Sequence, residues 1–267
     1  MLIVTRLYAN LKTMNDQDKT LLYTILTAIC FVLSFQVLVT NCCGMCSSKK
    51  ATLPTRISTS LHFKRKIQHF GSGLVLLAID LSNVMTPFQE AAVVFFCACA
   101  FLAAIHLTPR KTFVSIFKDI LRAEEASGKV YPATLWFLLG CVTLLLLFPT
   151  HPDIYRIALL HLSAGDPIAG IIGGLYGKTK IGIGNKSVEG SLACCIACSV
   201  VTYVYLIGTN NSVASASFSS NILFCMLCGI IGSISELIPA KLDDNITLPV
   251  FSGIGLWMLN DVVPFSV

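Results

Sequence analysis

Charge is scarce in this sequence. Asp, Glu, Lys and Arg make up 12% of its 267 residues, where an ordinary soluble domain carries about 25%. With 55% hydrophobic residues and a mean hydropathy of +0.77, the chain cannot cover itself with polar groups in water. That excludes a water-soluble globular domain and points to an integral membrane protein. The net charge of +5 then speaks of orientation in a bilayer, and no nucleic-acid partner is expected. Internal repeats, low-complexity tracts and domain-dividing linkers are also missing. No A-x-A-like cleavage site follows the first apolar run, 21–40, so a retained anchor is expected there. Cysteine, by contrast, is plentiful, but most of it lies in apolar runs, where it acts as a small hydrophobe. Cys42, Cys43 and Cys46 follow the first span directly and have no adjacent fourth ligand for zinc. Reduced thiols are expected.

Long apolar runs are what the chain has instead. After 21–40 they recur at about 70–86, 88–107, 131–149, 154–176, 190–207, 219–238 and 246–264. A spanning helix needs about 20 apolar residues, so the expected architecture is all-α and polytopic, with about eight transmembrane helices. Alternation puts the loops 41–69, 108–130, 177–189 and 239–245 on one face, and these hold most of the lysine and arginine beyond residue 40. The opposing connections, around 87, 150–153 and 208–218, hold none. By the positive-inside bias the basic face is cytosolic.

The chemistry concentrates in Ser163–Ser191, SAGDPIAGIIGGLYGKTKIGIGNKSVEGS. Asp166 interrupts an apolar run, where an ionisable group is costly and marks a candidate functional site. On a helix, Asp166, Gly170, Gly173 and Gly177 share one face. A neighbouring helix, a metal or a nucleotide could approach that bare strip closely. Gly174 lies beside it, and Lys178, Lys180 and Lys186 follow in the loop. Gly177-Lys178-Thr179 imitates the end of a P-loop, but Ile172 stands where the pattern requires glycine. The P-loop is rejected. A straight helix would put Asp166 roughly 15 Å below Gly177. Either Pro167 and the glycines break the helix, or a polar cavity reaches down to the carboxylate.

Two more clusters share the basic face. Arg65, Lys66 and His69 lie within one helical turn and suit polyphosphate, arginine as a fork and lysine as a point charge. Each would also serve as a simple anchor. Glu236 closes a span, and Asp243, Asp244 and Asn245 form a hard-oxygen group before the last one. A solvated turn and a Mg²⁺ site are both consistent with that group. Asp80, His106, His151 and His161 have no charged companion nearby in sequence and read as structural. Basic groups, glycines and acids converging beside a bilayer suit a Mg-nucleotide site reached by a lipid from the side.

In order along the chain, RKIQH, GDPIAGIIGGLYGK, NKSVEGS and LDDNITLPV resemble the CTP-dependent lipid kinases. That family takes in diacylglycerol, dolichol and phytol kinases and is related to the phosphatidate cytidylyltransferases. The resemblance covers about residue 64 to the end. It implies a membrane-embedded kinase domain over 64–267, preceded by an N-terminal segment, 1–63, with one anchor and a basic cytosolic stretch. It implies transfer of the γ-phosphate of CTP to a lipid hydroxyl, with Mg²⁺ or another divalent cation. The compact length looks like the diacylglycerol kinase type, giving phosphatidate. Arg65, Lys66, Asp166 and Gly173 carry over as needed for activity, and either Asp166 or His69 could accept the hydroxyl proton. Gly173, Gly174, Gly177, Lys178, Lys186 and Ser187 are the expected nucleotide positions. Asp166, Asp243, Asp244 and Asn245 are the expected metal ligands, with Glu189 and Glu236 near the site. A multi-pass protein of the endoplasmic reticulum membrane, its site facing the cytosol, is the expected setting. Three alternatives stay open. A polyprenol or phytol kinase would use the same machinery, and a cytidylyltransferase would release pyrophosphate. An ion-coupled transporter could also place Asp166 on a broken helix, though repeated halves are missing.

Overall fold

A computed structural model describes residues 63–118, 120–209, 218–239 and 242–263, with the side chains of 218–220 excepted. The expected anchor at 21–40 and Cys42, Cys43 and Cys46 lie outside the described residues. Within them the chain is helical apart from one isolated antiparallel bridge, Lys180 to Ser187. In order the helices are α1 (Phe63–Leu81), α2 (Pro87–Leu107), α3 (Arg110–Phe117), α4 (Ala123–Ser127), α5 (Ala133–Leu147) and α6 (Pro152–Leu160). A π-helical turn, His161–Gly165, leads into α7 (Asp166–Tyr176), followed by α8 (Val188–Gly208), α9 (Phe218–Leu237) and α10 (Asp244–Val262).

The helices fall where the apolar runs predict them, but the count of about eight spans is not reached. Among the described residues three helical stretches are long and apolar enough to cross a membrane: Pro87–Leu107, Pro152–Tyr176 and Val188–Gly208. Length and charge explain the shortfall. Helix α5 has only 15 residues, against the roughly 20 that a span requires. Helix α1 carries Lys64, Arg65, Lys66 and Asp80. What is supported is a helical membrane protein.

The α6–π–α7 rod is the axis of the molecule. Its Ile157, Ala158, Leu162 and His161 are fully buried, and α1, α8, α9 and α10 pack around it. Helix α8 shows the opposite face of the same physics. Leu192, Ile196, Val200, Val204 and Ile207 recur at helical spacing and are all exposed. An apolar stripe turned outward suits lipid rather than water.

Local chemistry sets the helix ends. Thr86 caps α2, its hydroxyl accepting from Gln89 N while Gln89 Oε1 accepts from Thr86 N at 2.9 Å. This reciprocal capping box satisfies two donors that the first turn leaves free. Ser187 and Asp243 cap α8 and α10 through Gly190 N and Asn245 N. Inside α10, Pro249 has no N–H to give to the carbonyl of Asn245, four residues back. Gly140 of α5 presses on that carbonyl, and a Cβ at this position would lie 2.2 Å from it. Only glycine permits such an approach.

His161 is structural, as read from the sequence. Its Nδ1 lies 2.7 Å from Ser252 Oγ and its Nε2 3.0 Å from Thr202 Oγ1, so both ring nitrogens are satisfied in the core. Cys195 and Cys198, like Cys225 and Cys228, stand three residues apart and are free thiols, and no metal-binding cluster of three His, Cys, Asp or Glu occurs among the described residues. Asp80 is different, because it has a partner. It pairs with Arg156 of α6, seventy-six residues away, and both side chains are largely buried.

Candidate functional site

The polar clusters meet in one pocket. Arg65, Lys66 and His69 enter it from the first turns of α1, Asp166 from the start of α7, and Asp243, Asp244 and Asn245 from the start of α10. Arg122, from the short connection before α4, completes the lining. The expected convergence of separate loops on one site is therefore present for these residues. The helix does not break to achieve it: α7 runs on through Pro167 to Tyr176. Pro167 lies inside the continuous rod directly after the π turn, where the hydrogen-bond register already departs from the regular α-helical ladder. Of the two alternatives, the polar cavity is the one found.

Inside the pocket Lys66 Nζ donates to Asp166 Oδ2 at 2.8 Å and to the Asp166 carbonyl oxygen at 3.2 Å. Arg65 lies alongside with Nη1 buried and no hydrogen-bond partner among the described residues. Burial lowers the Arg65 pKa from its usual value, and the group nonetheless stays a cation at neutral pH. His69 is pushed down to about 4, first by burial, so its imidazole is neutral at pH 7. Burial also raises the Asp243 carboxyl, while the backbone N–H of Asn245 and the charge of Arg122 pull it back.

Lys186 borders this group. It ion-pairs with Glu236 Oε1 at 3.2 Å and with Asp244 Oδ2 at 3.5 Å, tying the loop after α7 to the ends of α9 and α10. The other expected positions stand apart. Lys178 is exposed and does not line the pocket. Glu189 accepts from Thr179 N at 3.1 Å and steadies the loop. Ser187 is spent on capping α8. The glycine stripe is covered by protein: Lys66 lies over Gly170, and Gly173 packs against Gly190 and Ser187. Gly177 is also closed by Ser187, whereas a Cβ at Gly174 would meet open space.

The donor chemistry fits Mg²⁺ that arrives on a polyphosphate. Such an ion takes one or two carboxylates plus substrate phosphates and water. Asp166, Asp243 and Asp244 all line the pocket. Asn245 is more constrained, since its Nδ2 donates to the Ala133 carbonyl at 3.1 Å and ties α10 to α5.

Arg122 was missed in the sequence, where it counted only as part of a basic loop. The signal is Glu125, three residues on. Its buried carboxylate accepts from Arg122 N at 2.7 Å and from Ala133 N at 3.0 Å, folding the connection against α5. Arg110 braces the same turn by donating to the carbonyls of Ala126 and Glu125.

No family model and no solved structure matches the chain. Curated relatives do. The dolichol kinase of Saccharomyces cerevisiae is 26% identical over 199 residues, 73% of this chain and 36% of the relative. The dolichol kinase of Schizosaccharomyces pombe is 24% identical over 211 residues, 74% of this chain and 39% of the relative. An uncharacterized protein of Methanocaldococcus jannaschii is 29% identical over 143 residues, covering 52% of this chain and 65% of its own length. The chain thus spans little more than a third of the two dolichol kinases. The motifs resemble those of the CTP-dependent lipid kinases, and the relatives with a named activity are dolichol kinases.

Proposed function

We propose that the chain is a membrane-embedded lipid kinase that transfers the γ-phosphate of CTP to a lipid alcohol. The observation that carries this is the meeting of Arg65, Lys66 and Arg122 with Asp166, Asp243 and Asp244 in one pocket of a lipid-facing helical protein. Phosphoryl transfer asks the protein mainly for positioning and charge. Arg65 offers an unpartnered buried N–H to a phosphate oxygen, and Lys66 and Arg122 add charge. Lys66 also holds Asp166 in place. Mg²⁺, when bound by Asp166 and Asp243 or Asp244, would draw charge from the phosphate oxygens. The similarity to dolichol kinases favours a long-chain isoprenoid alcohol as acceptor over the diacylglycerol expected from chain length. The pocket would open to the cytosol from the endoplasmic reticulum membrane, in keeping with the lysine and arginine bias of its loops. The test is purified protein with γ-labelled CTP or ATP and a panel of lipid alcohols. Label passing to an isoprenoid alcohol from CTP is the expected result. Release of pyrophosphate, or no transfer to any alcohol, sinks the reading.

A further inference from the structure

A second, smaller pocket adjoins the charged one. Arg65, His69 and Ala133 line both, and the remainder of the second pocket is Gln68 and Ser72 of α1 with Thr134 and Phe137 of α5. It contains no carboxylate and no lysine. Apart from Arg65, which it shares with the charged pocket, its polar groups are neutral and stand beside an aromatic wall, a lining that suits an uncharged alcohol placed next to a phosphate. Its position suits the same ligand, for it lies between α1 and α5, while the main packing partners of α1 are α6, the π turn and α7.

His69 stands at the junction. Its ring meets Phe137 edge-on, with centroids 4.6 Å apart and planes at 71°. The ring also lies against the backbone of Leu162. In the π register the Leu162 carbonyl faces residue 167, a proline with no N–H to give. The carbonyl freed by Pro167 thus stands ready to accept from the ring. Nε2 is buried and has no partner among the described residues. In the neutral tautomer that carries its proton on Nδ1, Nε2 holds the lone pair.

We propose that this second pocket receives the hydroxyl end of the acceptor lipid and that His69 Nε2 takes its proton. The proposal rests on the kinase reading above. The alcohol oxygen forms a bond to the γ-phosphorus, and the bridging bond to the nucleoside diphosphate breaks, its electron pair leaving with the diphosphate. The hydroxyl proton passes to Nε2. Asp166 is left to Lys66 and the metal, so the two candidate bases take different roles.

The test has two arms. A diazirine-bearing long-chain isoprenoid alcohol is photolysed with the full-length protein without nucleotide, and the labelled residues are mapped. Label on Gln68–Ser72 and Thr134–Phe137, lost in Thr134→Trp and in Ser72→Leu, is expected. In the second arm His69→Ala should lower turnover by about 10²- to 10⁴-fold, with nucleotide affinity retained and turnover partly restored by added imidazole. Label elsewhere in an active protein overturns the lipid site and leaves the kinase reading intact. Wild-type-like turnover in His69→Ala, or a loss that imidazole does not restore, overturns the base. A labelled pocket in wild-type protein that phosphorylates no alcohol overturns the kinase reading, and the role of His69 with it.

Discussion

Lys66 and Asp166 are 100 residues apart in the chain and 2.8 Å apart in the fold. Their side chains are 11% and 21% exposed, so each is the main compensation for the other's burial. This changes what Asp166→Asn should do. Removing a carboxylate from an apolar run in isolation would relieve a cost, but here it strands the Lys66 ammonium. Breaking a buried pair costs more than deleting both charges. Asp166→Asn should therefore abolish transfer and also destabilise, by about 2 kcal/mol given partial exposure. Asp166→Asn combined with Lys66→Met should regain the stability and none of the activity. Thermal melts in detergent beside a transfer assay check both. If the single variant melts like the wild type, the pair is not a structural linkage.

Arg122→Ala should reduce turnover by about 10²-fold, the usual loss when one charge-assisted contact to a reacting phosphate is removed. Melting should barely change, because Glu125 fixes the connection through the Arg122 backbone N–H rather than its side chain. Wild-type turnover in this variant would mean that Arg122 only borders the pocket.

The convergence of the polar clusters was legible in the sequence because Arg65–His69 and Asp243–Asn245 each sit at a helix end on the basic side. Charge bias and alternation alone put them on one face. The partners were not legible, because pairing across a membrane bundle depends on which helices are neighbours. Lys66 with Asp166 and Asp80 with Arg156 show no local spacing. The glycine stripe suggested room for a nucleotide or a helix, and periodicity cannot say which. In the fold Gly190 and the Lys66 side chain fill it. The span count failed for a related reason: hydropathy marks apolar runs, but a short helix such as α5 can be apolar because it is surrounded by protein.

The Asp80–Arg156 pair lies away from the candidate site, with Glu90 buried beside it and Asp153 bonded to Tyr205 nearby. Arg156→Leu would leave the acids without their cation and should destabilise by about 3–5 kcal/mol. Arg156→Leu with Asp80→Leu should recover much of that loss. Specific activity in the folded fraction should stay near that of the wild type. A drop in specific activity without loss of melting temperature would place this pair in the chemistry instead.

Gly173→Leu tests what the glycine stripe is for. The Cα of Gly190 would lie 3.5 Å from a Cβ at Gly173, and Ser187 Oγ 3.2 Å. A leucine there has no room and must push the start of α8 away from α7. That movement carries the loop holding Lys186, and with it the link to Glu236 and Asp244. Both stability and transfer should fall, with overpacking costing about 1–3 kcal/mol. Gly173→Ala, which adds only the Cβ, should show a milder loss of both. Gly174→Ala is the control, since its Cβ would meet nothing within 4 Å. If the stripe serves packing alone, Gly174→Ala keeps nucleotide affinity while the Gly173 variants lose stability. If instead the open side at Gly174 is where the nucleotide lies, Gly174→Ala weakens nucleotide binding with no change in melting. Measuring nucleotide affinity and melting temperature on the three variants decides between a helix contact and a nucleotide cradle.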